Sequence, residues 1–145
     1  MRIIVFILLL LSLLSCDPYI LQVSMDEGFR KEVNFDCGKV DISCSVIADR
    51  QISIHQKINL KYSIVLNPEK LRIMYKGDSI KAKIYLNEVP FQEIKQINND
   101  NSIVIVINQK VQSGDTIKIN IDNFMVCEKK PLEIGDINLV LVRRK

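Results

Sequence analysis

The chain has 145 residues, enough for one domain with a sizeable core. Its 20 Lys+Arg against 17 Asp+Glu give a formal charge of +3, without the clustered basic face that nucleic-acid binding requires. Trp is absent and aromatics make up 6%, which argues against a sugar platform built on exposed aromatic faces.

The first element is an apolar run, Ile3 to Leu14, preceded by Arg2. A membrane-spanning helix needs roughly 20 apolar residues to cross about 30 Å. At 1.5 Å per residue this run reaches only about 18 Å. It suits the apolar region of a secretory signal, about 7–15 residues long. Ordinary signal cleavage follows two small residues spaced as in A-x-A. Counted to Cys16, the positions here are Leu13 and Ser15.

Leu13-Leu14-Ser15-Cys16 resembles the lipobox of bacterial lipoprotein precursors: a branched aliphatic, a loosely restricted residue, a small residue and a Cys. The resemblance covers the first 16 residues. It departs slightly at Leu14, where Ala, Ser, Thr or Val is commoner. It implies that 1–15 is a removable signal peptide, cut between Ser15 and Cys16. The Cys16 thiol then carries a diacylglyceryl group, and the protein is exported and held to the cell envelope through that membrane anchor. Two acyl chains suffice for stable anchoring where one does not. The alternative is plain secretion or an uncleaved anchor. Asp17 after Cys16 resembles a retention signal of some enteric bacteria, but that rule varies by lineage and leaves inner membrane, outer membrane and surface display open.

Residues 16–32 read as the lipidated Cys followed by a short tether or a first strand, because "DPYILQVSM" lacks the Gly/Ser richness of a flexible linker. From 33 to 145 the pattern is period two. "KVDISCSVIA" alternates through Val40, Ile42, Cys44 and Val46, and "QISIHQKINLKYSIVLN" through Ile52, Ile54, Ile58, Leu60, Ile64 and Leu66 with a break at Gln56. The second stretch predicts one long bent strand, or two strands continuing across a bulge. "SIKAKIYLN", "TIKINID" and "DINLVLVRR" alternate likewise. "SIVIVIN" is apolar on both faces, which predicts a central strand. "PFQEIKQI" is expected to hairpin onto it through Asn98–Asn101. "NPEK", "KGDS", "NNDN", "QSGD" and "EIGD" are the turn signals between runs. In "IDNFMVCEKKP" the alternation breaks at Asn123-Phe124, which points to a strand crossing an edge, or else to an exposed apolar contact.

The expected fold is all-β: an antiparallel β-sandwich of about seven to nine strands, immunoglobulin-like in architecture, after an N-terminal apolar signal helix. Arg143-Arg144-Lys145 reads as a solvated run, with contact to anionic lipid as the lesser reading.

Three cysteines remain beside Cys16: Cys37, Cys44 and Cys127. Export permits one bridge among them. Cys44 and Cys127 both fall in the inward step of their runs, so that pair is geometrically conceivable; the other pairings and no bridge at all stay open. There is no C-x-x-C and the chain has a single His, so no metal site and no cofactor are expected. His55 lies in a polar step with Ser53 and Lys57 and reads as an exposed strand residue. G-x-S-x-G, P-loop and G-x-G-x-x-G patterns are absent. "NNDNS" (98–102) offers one Asp where calcium prefers several carboxylates, and reads as a turn. Asp26-Glu27 and Asp36 read as solvated charge rather than a paired acid site.

No catalytic residues are expected. The sequence therefore points to a lipid-tethered, non-enzymatic binding or assembly module with an unidentified envelope protein partner. The alternatives are an inhibitor or immunity-type lipoprotein that blocks a partner and an enzyme with an unfamiliar site.

Overall fold

The computed structural model describes residues 21–25, 30–47 and 50–143. The expected signal segment 1–15 with its apolar helix, the Ser15/Cys16 cleavage pair, the lipidation residue Cys16 and the Asp26-Glu27 pair lie outside the described residues.

Fifteen extended segments follow one another: β1 (Leu21–Met25), β2 (Arg30–Phe35), β3 (Gly38–Ile47), β4 (Gln51–Leu60), β5 (Ile64–Leu66), β6 (Arg72–Tyr75), β7 (Asp78–Ser79), β8 (Lys83–Leu86), β9 (Val89–Pro90), β10 (Lys95–Ile97), β11 (Asn101–Asn108), β12 (Thr116–Asn120), β13 (Met125–Cys127), β14 (Lys130–Pro131) and β15 (Asp136–Arg143). A 3₁₀ turn, Pro68–Lys70, separates β5 from β6; the Asn67 side chain caps it at the Glu69 amide. Nine segments have four or more residues. The count exceeds the expected seven to nine because the connections pair as ladders of two or three residues.

Every pairing is antiparallel. The strands form a six-stranded sheet ordered β2-β3-β4-β11-β8-β9, a five-stranded sheet ordered β1-β15-β12-β6-β7 and a four-stranded sheet ordered β10-β5-β13-β14. Their inward residues merge into one apolar core, sandwich-like, in which Ile42, Ile54, Ile58, Ile105, Ile117, Ile119 and Leu139 are essentially inaccessible. Burying one such side chain contributes about 1.5–3 kcal/mol. Alternation explains why these strands form: β12 and β11 bury every second residue and expose, or half-expose, the rest.

Three expectations about connectivity change. "SIVIVIN" is indeed an interior strand, β11, but its partners are β4 and β8. Both edges of β11 are thus occupied, so "PFQEIKQI" cannot hairpin onto it; its β10 pairs with β5 instead. The long run from Gln51 to Leu66 is neither one bent strand nor two joined by a bulge. The chain leaves the six-stranded sheet after Leu60 and enters the four-stranded sheet at Ile64. Gln56 is no break either: β4 runs through it in register with β3 and β11, and Gln56 is fully buried.

"IDNFMVC" takes the structural reading. Phe124 N–H donates to the Ile121 carbonyl at 3.0 Å, Asn123 adopts φ 63°, and the chain turns from β12 into β13. Phe124 and Met125 are both buried, so they form no exposed contact. One glycine is sterically required. A Cβ on Gly38 would lie 2.1 Å from the Asn59 carbonyl oxygen, where β3 starts against the end of β4.

Candidate functional site

His55 is exposed on β4, and its Nε2 lies 3.3 Å from Ser45 Oγ on β3. The two sit on the outward face of the six-stranded sheet, diagonal across the ladder in which His55 opposes Ser43. A serine nucleophile needs its histidine oriented by a third group in a recess; here the surface is an open strand pair. Asp36 is exposed in the β2–β3 turn. Asp100 of "NNDNS" accepts from the Leu60 N–H at 2.9 Å and from Asn59 Nδ2 at 3.2 Å. That loop therefore clamps the end of β4. Among the described residues no group of three or more His, Cys, Asp or Glu could hold a metal ion.

The cysteine pairing differs from the one singled out in the sequence. Cys127 bonds to Cys37, with 5.9 Å between their Cα atoms, and Cys44 is a free thiol. Cys37 lies in the β2–β3 turn, at the end of the six-stranded sheet where the Lys61 N–H donates to its carbonyl. Cys127 opposes Ile64 just beyond that end. Cys44 shares the inward step of β3 but stands seven residues beyond Cys37, about 23 Å at strand rise. Alternation reports the face and not the height. Burial pushes the Cys44 thiol up to about 12, so it is not a ready thiolate at neutral pH.

Two large apolar side chains are exposed between the β8–β9 hairpin and β10. Val89 is 65% exposed and Ile94 62%. A groove of about 460 Å³ beside them is lined by Ala82, Ile84, Tyr85, Pro90 and Phe91 on one side and Pro68 and Glu69 on the other. The hairpin turn places Asn87 (φ 48°) and Glu88 (φ 69°) in left-handed backbone, the geometry a two-residue type I′ connection demands. Asparagine side chains hold it. Asn87 Nδ2 donates to Asn101 Oδ1 at 2.7 Å, the Ser102 N–H donates to Asn87 Oδ1 at 2.9 Å, and Asn101 Nδ2 donates to Asn99. Pro90 sits in β9 at the rim of the sheet, where its missing N–H weakens any added strand. The opposite rim, β2, carries alternating charge. Arg30 pairs with Asp41 at 3.3 Å and Glu32 with Lys39 at 2.5 Å.

Two carboxylates are tuned by neighbours. Asp115 accepts from the Tyr75 hydroxyl at 2.6 Å and the Gln112 N–H at 2.8 Å and pairs with Lys76 at 3.1 Å. The Tyr75 bond foremost, then the Gln112 amide and Lys76, hold its carboxyl below the ordinary range. Asp136 is lowered chiefly by Lys118 and then by Asn120. Both tie neighbouring strands or loops together, and neither opens into a deep cleft.

The sequence reading missed the β8–β9 surface, because "LNEVP" lacks the glycine that marks most such turns. Asn87 was the one available signal. Comparison with protein-family models, curated proteins and solved structures returns no match.

Proposed function

We propose that this chain is a bacterial envelope lipoprotein: an immunoglobulin-like β-sandwich, exported, acylated at Cys16 and acting without catalysis as a binding or assembly module. The observation that carries the reading is Leu13-Leu14-Ser15-Cys16 at the close of the apolar run Ile3 to Leu14. The geometry at Cys44 and His55 is compatible with it: the thiol is masked by burial and the imidazole lies on an open strand surface.

Binding through the Val89–Ile94 surface follows from its exposure, since apolar side chains grouped at a sheet rim are a common docking surface. The same exposed edge favours a second reading, an inhibitor or immunity-type lipoprotein that presents this edge to a partner.

The test is Cys16→Ala in the full chain, followed by membrane fractionation and mass measurement of the peptide that begins at residue 16. The wild type is expected to partition with membranes and carry the lipid mass, and the variant to leave the membrane fraction or remain uncleaved. If the unmodified variant fractionates like the wild type, the anchor assignment fails.

A further inference from the structure

Gln92-Glu93-Ile94-Lys95-Gln96 is self-complementary when one copy is reversed against another: amide meets amide, each charge meets its opposite, and Ile meets Ile. All five residues are exposed, and the last two open β10. β10 is the outermost strand of the four-stranded sheet and pairs with β5 on one side only. A bend at Glu93 leads into it.

The ladder fixes which way the backbone of this segment faces. One step beyond the Leu66–Met125 pair, the Asn67 N–H donates to the Phe124 carbonyl at 2.8 Å, so Asn67 faces β13. Alternate residues of a strand turn their N–H and C=O groups to opposite sides. Val65 therefore faces β13 as well, while Ile64 and Leu66 face β10. Their partners there are Ile97 and Lys95. Gln96, and Ile94 by continuation, thus turn their backbone groups to the free edge, and such an edge is a template for another strand.

A second copy of the same segment fits that template when it runs antiparallel about Ile94. Ile94 then opposes the partner's Ile94 as a hydrogen-bonded pair, and Gln92 opposes the partner's Gln96 as the next such pair once the bend at Glu93 straightens. Glu93 falls opposite the partner's Lys95, and Lys95 opposite the partner's Glu93. These are the non-hydrogen-bonded positions, where cross-strand side chains stand closest. Charge opposes the neighbouring registers. Displacing one copy by two residues sets Glu93 against Glu93 in one direction and Lys95 against Lys95 in the other. A slip of one residue sets the outward-facing groups of one copy against residues whose groups face away.

We infer that the chain self-associates through β10, two copies joining as an antiparallel pair centred on Ile94 into one continuous sheet with four strands from each. The inference deepens the binding reading of the Val89–Ile94 surface and rests on it, naming a second copy as the partner. Five residues a side are far fewer than the roughly 20–30 of a stable interface. The pair is accordingly transient in dilute solution and favoured where copies are confined together, as on a membrane, by the raised effective concentration.

The test is oxidative cross-linking of the full chain carrying Ile94→Cys and Cys44→Ala, the second change removing the free thiol. Opposed hydrogen-bonded positions lie about 5.5 Å apart at Cα, within disulfide reach. Copper phenanthroline is applied to every cell fraction that holds the protein, and peptide mass identifies the link. A 94–94 dimer is expected. Ile47→Cys with Cys44→Ala, placed at an exposed position on β3, is expected to give no 47–47 link. Glu93→Lys added to the Ile94→Cys chain should lower the dimer about tenfold, and Lys95→Glu likewise, because two attractive pairs become repulsive. Co-produced in one cell, these two variants should link to each other and not to themselves. Absence of the 94–94 link, or a link indifferent to the charge exchange, overturns the inference. Maleimide labelling separates it from the wider reading. An Ile94→Cys thiol that is protected yet unlinked removes the second copy and leaves the surface to a different partner. One that is unlinked and labels as fully as Ile47→Cys removes both.

Discussion

Gln56 is the residue that most departs from what its surroundings ask. It occupies an inward position of β4, between Ile42 on β3 and Ile103 on β11. It is fully buried, and neither its amide nitrogen nor its amide oxygen has a hydrogen-bond partner among the described residues. An unsatisfied buried polar group costs about 1–3 kcal/mol. Gln56→Met keeps the length and volume of the side chain and removes both polar atoms. It is expected to raise stability by about 1–3 kcal/mol, read as a higher urea midpoint with an unchanged slope. A lower midpoint would show that the amide is satisfied in solution. Glu88, Glu128 and Lys129 also bear conformations that suit glycine or asparagine better, with φ of 69°, 47° and 68°.

At the scale of elements, connections carry as much specification as strands. Segment 109–115 joins the two larger sheets, and Asp115 holds it through Tyr75, Gln112 and Lys76. Its folded pKa is lowered. Its stabilising contribution is therefore complete above the unfolded value near 3.9 and is lost as pH falls through the lower folded value. Asp115→Asn is expected to cost about 1–3 kcal/mol at neutral pH. Its deficit against the wild type should stay constant down to about pH 5 and shrink below about pH 4, measured as urea midpoints across pH. A deficit that persists unchanged in acid would mean the ionised carboxylate is not what holds the segment. The strands themselves were legible, because period-two alternation is local. Ile117 and Ile119, or Ile137, Leu139 and Leu141, announce their buried face unaided. The five turn motifs were legible through Gly, Pro, Asn and Asp. The Asn87-Glu88 and Glu128-Lys129 turns were not, since the pairing of the flanking strands imposes those backbone angles on residues that do not favour them.

For the whole molecule, the bridge between Cys37 and Cys127 joins the six-stranded sheet to the four-stranded one across 90 residues of chain. Closing a loop of that length in the unfolded state corresponds to about 4–5 kcal/mol in the chain-entropy account. Cys37→Ala/Cys127→Ala is expected to lose about 2–5 kcal/mol and to unfold at the same urea concentration with or without reductant. Cys44→Ala should keep the wild-type response to reductant. If reductant leaves the wild-type midpoint unmoved, the bridge does not stabilise the protein. The turn at Arg50 and the disulfide end lie at opposite poles of the β3–β4 ladder.

By itself the sequence determined the all-β class, the inward face of most strands, the interior place of β11, the turns marked by small or cyclic residues, and the expectation of an acylated Cys16. Those properties depend on neighbours a few residues apart. Tertiary structure decided which cysteines meet, where the Gln51–Leu66 run changes sheets, which strand β10 joins, and that Leu21, Arg50, Lys110 and Arg143 share one end. Each of these depends on strand order and register, and residues far apart in the chain acquire a common height only when the ladders close. Alternation says which way a side chain points; register says how far along the sheet it stands, and which residues share one end of the fold is set by the second quantity.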